Sequence, residues 1–383
     1  MDCKESDFQL DNSVTYLNCA YMSPQLKNVE QAGLLGVQRK RNPFTISPEE
    51  FFGETDTLRE EYAKLINAND PKRIVVIPSV SYGMANVANN VTLSEGDNIV
   101  VVGEQFPSNV YPWRSVVKEK GGEIITITPP KDTENRGKTW NENILDAINE
   151  KTKLVAVGNI HWADGPLFDL KAIRERTNEV GAWLAIDGTQ SVGALPFDVS
   201  EIQPDALICA GYKWLMGPYS IGLAYYGPAL DDGNPVEENW INRYESENFA
   251  NLVNYNDEYQ PGALRYEVGE HSNFILVPMM LKAVQQLNQW GVENIQGYCK
   301  NLIADSVKRL REAGFHIEDE NYRASHLFGI RLGKNHDIDR IKKTFEEHNI
   351  LVSFRGDSIR VSPNVYNTPK DIATLTDALL GEL

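Results

Sequence analysis

Cysteine and histidine are both scarce in this chain, at four and six among 383 residues. Cys3, Cys19, Cys209 and Cys299 show no C-x-x-C spacing. That excludes a zinc ribbon or a dense disulfide framework and fits a reducing, cytoplasmic setting. The histidines form no H-x-H or H-E-x-x-H pair, so no metal site is expected. Long apolar runs are missing as well. A membrane-spanning helix needs about 18 successive apolar residues, and the opening MDCKESDFQLDNS is polar, without the apolar heart of a secretory signal. Positive charge is in deficit, with 37 Lys and Arg against 54 Asp and Glu and a net charge of −17. No nucleic-acid partner is expected, because phosphate binding needs a basic footprint. Neither G-x-x-x-x-G-K-[ST] nor G-x-G-x-x-G follows an apolar run, so the common nucleotide loops are excluded.

What the chain does have is a series of short, β-branched apolar runs. They read RIVVIPS (73–79), NIVVVGE (98–104), EIITITP (123–129), LVAVGNI (154–160), WLAIDGT (183–189), ALICAGYK (206–213) and IGLAYYG (221–227). Because they do not alternate with polar residues, they read as strands covered on both faces. Amphipathic stretches lie between most of them, including 81–91 and 168–181, the latter closed by Gly181. The fold class is therefore α/β: a large domain with a mainly parallel seven-stranded sheet covered by helices. After about residue 260 long helical periodicity covers 273–291 and 292–314. Two strands (326–332 and 358–363) then flank a helix near 337–348, and a last helix follows Pro369. This predicts a smaller C-terminal α+β domain. The expected division is an N-terminal segment 1–22 packing with the small domain, a large domain 23–262 and a small domain 263–383. The stretch 228–262, rich in Asn, Glu and Tyr, reads as an irregular, lid-like piece.

In open α/β sheets ligands bind beyond the carboxyl ends of the strands. Collected there are Ser79, Val80 and Ser81 opening a helix, Phe106, Trp162, Asp187 followed by Gln190, and Tyr212-Lys213. Singly, each has an ordinary explanation: a Ser N-cap, a packing aromatic, a turn aspartate, a surface lysine. Together they supply what pyridoxal 5'-phosphate needs. Helix N–H groups and hydroxyls suit its phosphate. A carboxylate suits its ring nitrogen, an apolar face suits its ring, and a lysine suits its aldehyde. Desolvation would lower the pKa of that lysine.

The run AIDGTQSVGALPFDVSEIQPDALICAGYKWLMGPYSIGLAYY (185–226) resembles the core of class V aminotransferase-type, fold-type-I pyridoxal phosphate enzymes. That group includes cysteine desulfurases, kynureninases and isopenicillin N epimerase-like proteins. TYLNCAYMSP (15–24) and IRVSPNVYNTPKDI (359–372) are similar to its terminal segments. The resemblance implies that Lys213 forms the Schiff base with the cofactor and that Asp187 faces the pyridine nitrogen. It puts Gln190 at the phenolic oxygen, and Val80, Ser81 and Tyr212 at the phosphate. Phe106 becomes the stacking ring, and Arg360 the fork for the substrate α-carboxylate, with Asn18 beside the substrate. It further implies an amino-acid substrate and a homodimer with the site near the subunit interface, Ser272 or His271 reaching the neighbouring phosphate.

The sequence departs from that pattern at three places. The stretch 351–361 holds no cysteine where desulfurases carry a nucleophilic one. Glu270 stands in a segment where Gly-Thr is common, and Trp162 falls where asparagine is common. Cys19 reads as a small core residue. The expectation is an aminotransferase-type enzyme. The alternatives are a lyase of the kynureninase or selenocysteine lyase/cysteine desulfurase kind, an epimerase, and a non-catalytic relative that kept the fold. Joint retention of Lys213 and Asp187 argues against the last, since buried charges cost stability without a role.

Overall fold

All seven apolar runs become neighbours in one sheet. The computed structural model describes residues 1–131, 134–333 and 336–381. Across the sheet the order is Ile74–Ile77, Gly222–Tyr226, Ala206–Ala210, Trp183–Asp187, Thr152–Gly158, Asn98–Val102 and Glu123–Ile127. Gly222–Tyr226 runs antiparallel to both of its neighbours, and the remaining pairs are parallel. Six carboxyl ends and the amino end of Gly222–Tyr226 therefore share one edge.

Side chains alternate between two cores, as a period of two requires. Val75, Ile99, Val101, Leu154 and Ala156 face one core, with Met84 and Val87 of helix Val80–Asn90 and Trp113 of helix Tyr111–Lys120. Ile74, Val76, Val100, Val155 and Val157 face the other, with Leu58 and Tyr62 of helix Gly53–Leu65. Helix Leu276–Trp290 joins that second core through Val277, Met280, Val284 and Leu287. Both faces are covered, so the strands need no polar side.

A separate core gathers Ile303 and Leu310 of helix Val292–Glu312, Phe345 of helix Ile338–Glu347 and Leu375 of helix Pro369–Leu380. They pack on an antiparallel sheet ordered Ser353–Arg355, Ser358–Val361, Phe328–Arg331. The strand Ser353–Arg355 was not expected; at three residues it is too short to show a period. The chain's beginning returns here. Thr15 and Tyr16 pair in parallel with Ile350 and Leu351, Asn18 bridges Ser362, and Leu17 lies in this core.

The stretch 228–262 forms short turns of 3-10 helix, as expected of an irregular piece. It is anchored at its middle: Asn239 Nδ2 donates to the Glu267 carbonyl (3.1 Å) and Asn242 Nδ2 to the Arg265 carbonyl (2.9 Å). Its lid-like reading is corrected, because none of its residues lines the cavity at the sheet edge.

Candidate active site

A cavity of about 320 Å³ opens at that shared edge. Nine of the expected residues line it: Ser79, Val80, Ser81, Phe106, Trp162, Asp187, Gln190, Tyr212 and Lys213. Most arrive by the same local logic, a buried strand delivering a polar or aromatic residue at or just past its end.

Helix Val80–Asn90 starts at the cavity. Ser79 caps it, its Oγ accepting from the Tyr82 N–H at 3.2 Å, and Ser81 Oγ lies 2.9 Å from Ser79 Oγ. The amides of Val80 and Ser81 have no intrahelical acceptor, so hydroxyls and N–H groups converge where an anion would be stabilised. Asp187 closes its strand, buried, with Oδ1 accepting from the Thr189 N–H at 3.1 Å. Burial pushes its carboxyl pKa up, against the Thr189 hydrogen bonds and the Lys213 charge. Such a carboxylate is poised for a cationic N–H.

Lys213 is 7 % exposed. Among the described residues its Nζ makes no ion pair. It lies 5.4 Å from the Phe106 ring centroid and 5.6 Å from that of Tyr212. Burial brings its pKa down to about 8, with Arg360 and Arg355 adding to the fall and Asp187 opposing it. Phe106 is braced edge-on by Trp162 (5.3 Å), and Trp162 Nε1 donates to the Glu104 carbonyl (2.7 Å).

Gln190 is fixed at both ends of its amide. Trp214 Nε1 donates to Oε1 at 2.9 Å, and Nε2 donates to the Ala20 carbonyl at 3.2 Å. One N–H of Nε2 is left for the cavity. Behind it His326 Nε2 bonds the Gln190 carbonyl (2.9 Å), while Gln296 Nε2 meets His326 Nδ1 (2.8 Å). Gln296 Oε1 is taken by the Ser325 N–H. Its amide nitrogen therefore donates to Nδ1, and His326 carries its proton on Nε2. Burial holds that imidazole neutral, its pKa near 4.

Arg360 and Asn18 do not line the cavity; they stand behind it. Arg360 Nη1 donates to the Trp162 carbonyl (2.7 Å) and Nη2 to Ser353 Oγ (3.1 Å), which in turn donates to Asn18 Oδ1 (2.9 Å). Arg360 is 2 % exposed, its Nε has no partner, and no described carboxylate pairs with it. Burial, then Arg355, brings its pKa down to about 10. Ser272 is buried away from the cavity. The neighbouring His271 is tied to Thr55 Oγ1 (3.2 Å) and Glu267 (3.5 Å). Cys19 is fully buried and its thiol is pushed up to about 12, so it is held protonated.

Other residues at the site carried no motif. Thr189 Oγ1 accepts from the Ala210 N–H (3.2 Å), tying the Asp187 turn to the Lys213 strand. Ser108, Tyr219 and Ser220 also line the cavity. Met216 and Ser220 sit at φ +54° and +66°, left-handed backbone that non-glycine residues adopt only when their surroundings impose it.

The family model for Aminotransferase class-V matches residues 46–375. The chain belongs to that family. The chain is 26% identical to the uncharacterized aminotransferase YcbU of Bacillus subtilis over 87% of its own length and 85% of that protein. It is 32% identical to a probable cysteine desulfurase of Halalkalibacterium halodurans over 47% of this chain and 44% of that one. Among solved structures it superposes on the cysteine desulfurase CsdA of Escherichia coli with a TM-score of 0.80 at 20% identity, over 99% and 98% of the chains. The cystine C–S lyase C-DES in complex with cysteine persulfide gives 0.83 at 18%, over 96% and 97%.

The cofactor of class V aminotransferases is pyridoxal 5'-phosphate. The donor set of this cavity fits it: a capped helix start, a buried carboxylate with one oxygen unclaimed, an aromatic face and a desolvated amine. The volume lies at the lower end of the usual small-molecule range.

Proposed function

We propose that this class V aminotransferase acts on an amino acid through Lys213, as an aminotransferase-type enzyme. The observation that carries the reading is Lys213 itself, a buried amine with no ion-pair partner among the described residues, in the same cavity as Asp187 and the Ser79–Ser81 helix start. A lysine in that position has no structural use that a leucine would not serve better.

When bound, pyridoxal phosphate supplies an electron sink that stabilises negative charge at the substrate α-carbon. The chain's own residues do the rest. The N–H groups of Val80 and Ser81, with the Ser81 and Tyr212 hydroxyls, hold the phosphate. Asp187 keeps a proton on the ring nitrogen, and Phe106 covers one ring face. Gln190, set by Trp214 and His326, offers an N–H to the phenolic oxygen. Arg360 receives the α-carboxylate as a charge-assisted pair. Lys213 Nζ takes and returns the α-proton, for which a pKa near neutrality is the useful range. Ser272 is assigned to a neighbouring copy's phosphate in a homodimer.

A lyase is the second reading, favoured by the desulfurase and C–S lyase names among the relatives. Against persulfide chemistry on a loop thiol, the hairpin from Ser353 to Val361 contains no cysteine.

The reconstituted protein should be yellow, and Lys213→Ala should abolish the band; a colourless wild type given excess cofactor would overturn the enzyme reading. Product analysis on an amino-acid panel then separates the branches. Keto acid with aminated cofactor supports the transferase, whereas released sulfur or alanine from cysteine-type substrates supports the lyase.

A further inference from the structure

Trp162 is a shared wall. One side of it lines the cofactor cavity, and the residue also lines a second cleft of about 1030 Å³. Four cations (Lys131, Arg136, Arg331, Arg355) and three carboxylates (Glu104, Asp164, Asp357) border that cleft. Most of them are spoken for. Asp164 binds Arg136 (3.0 Å), Arg331 and His161 (2.6 Å), and Asp357 binds Arg331 (2.6 Å). Glu104 is exposed and forms no ion pair with a described residue.

Arg355 is different. Its guanidinium lies over the Trp162 ring, 5.3 Å from the centroid. Among the described residues no carboxylate pairs with it. Its one hydrogen bond runs from Nη1 to the Phe354 carbonyl (2.8 Å), and its buried Nε has no partner. Most of the five donors of the fork are therefore unassigned. The hairpin register explains the placement. Ser353 faces Arg360 and Arg355 faces Ser358, so Arg355 and Arg360 project from the same face as diagonal neighbours, about 7–8 Å apart in a regular ladder. Trp162 lies between them, its carbonyl held by Arg360 and its ring covered by Arg355.

Two unpaired guanidiniums on one face of a hairpin, beside one cofactor cavity, fit a ligand with two acidic groups. We infer that Arg355 is the specificity cation of the site and that the substrate is an amino acid whose side chain ends in a second acidic group. This rests on the reading of Arg360 as the α-carboxylate fork. The acidic side chain then extends past Trp162 toward the second cleft, where Arg136 and Arg331 are balanced by Asp164 and Asp357 and Arg355 is left as the guanidinium to meet it. Arg rather than Lys suits this task, because its planar fork meets a carboxylate or sulfinate in two hydrogen bonds.

The test uses isosteric pairs on the cofactor-loaded protein: aspartate against asparagine, and glutamate against glutamine. Wild type should favour the acid of at least one pair by roughly tenfold or more in kcat/KM. Arg355→Gln should bring that ratio close to one, mainly through KM, with the cofactor absorbance intact as proof of folding. Arg355→Lys should keep part of the preference. A wild type that turns over amides as well as acids, or a preference that survives in Arg355→Gln, overturns the inference alone. If no amino acid of either kind perturbs the bound cofactor, the functional reading fails and this inference with it.

Discussion

Lys213 and Arg360 are buried cations with no carboxylate among the described residues at ion-pair distance, and that is the costly feature of the residue scale. In the proposed function each is tolerable because a ligand supplies what the fold leaves out. For Lys213 the consequence can be titrated. With its pKa near 8, about one molecule in ten carries the free amine at pH 7, against roughly one in three thousand at the ordinary lysine value. In cofactor-free protein the rate of attachment of pyridoxal phosphate should rise with pH to a midpoint near 8; a midpoint above 10 would refute the desolvated amine. The sign for stability follows as well. A lowered folded-state pKa means that the unfolded chain holds the proton alone between about 8 and 10.5, so this group makes the cofactor-free protein more stable as pH rises through that window. Lys213, Asp187, Phe106 and Trp162 were legible in the sequence because each carries its chemistry in its side chain and follows an apolar run. The supporting bonds were not. That Trp214 and His326 lock Gln190 depends on which amide end points where, and residue identity does not encode that.

At the scale of elements, the seven strands were legible because strands buried on both faces leave continuous apolar runs. Their ends agree with those runs to within a few residues. The short strand Ser353–Arg355 was not legible, and with it the register that puts Arg355 beside Arg360 was hidden. The element that carries the proposed phosphate site is helix Val80–Asn90, and Gly83 sets how closely it lies on the sheet. A Cβ there would meet Ile208 Cγ2 at 2.7 Å and Ile77 Cδ1 at 3.0 Å. Two effects oppose in Gly83→Ala. Helix propensity gains about 1 kcal/mol, and overpacking a full core costs about 1–3 kcal/mol. Overpacking should win, giving a net loss of about 1 kcal/mol in denaturant unfolding. Because the helix must lift from the Lys213 strand, cofactor affinity should also fall several-fold. A variant as stable as wild type with unchanged affinity would show that the helix position is not set there.

For the whole molecule, the sequence showed two regions of different pattern but not how its ends meet at one site. Asn18, Ser353 and Arg360 form a single hydrogen-bonded chain although 335 positions separate the first two; only the folded topology makes them neighbours. The same scale governs self-association. Helix Lys27–Arg39 buries Val29, Gly33 and Gly36 but leaves Leu34, Leu35 and Val37 more than half exposed, and Phe44 just after it is 86 % exposed. Tyr219, at the cofactor cavity, is 62 % exposed. Exposed aliphatic and aromatic side chains of this kind are what a second copy would cover. Against pairing stands the net charge of −17 on each copy, a repulsion that acts over about 10 Å at 0.1 M salt and farther in dilute buffer. The two terms predict a salt-dependent homodimer. Solution mass should be twice 43.1 kDa at physiological ionic strength and should fall toward the single chain as salt is removed. Leu35→Asp adds a charge among these exposed side chains and should shift the balance to monomer at all salt concentrations. A wild-type mass of one chain at physiological salt, or a dimer that tightens as salt is withdrawn, would contradict an apolar interface opposed by charge.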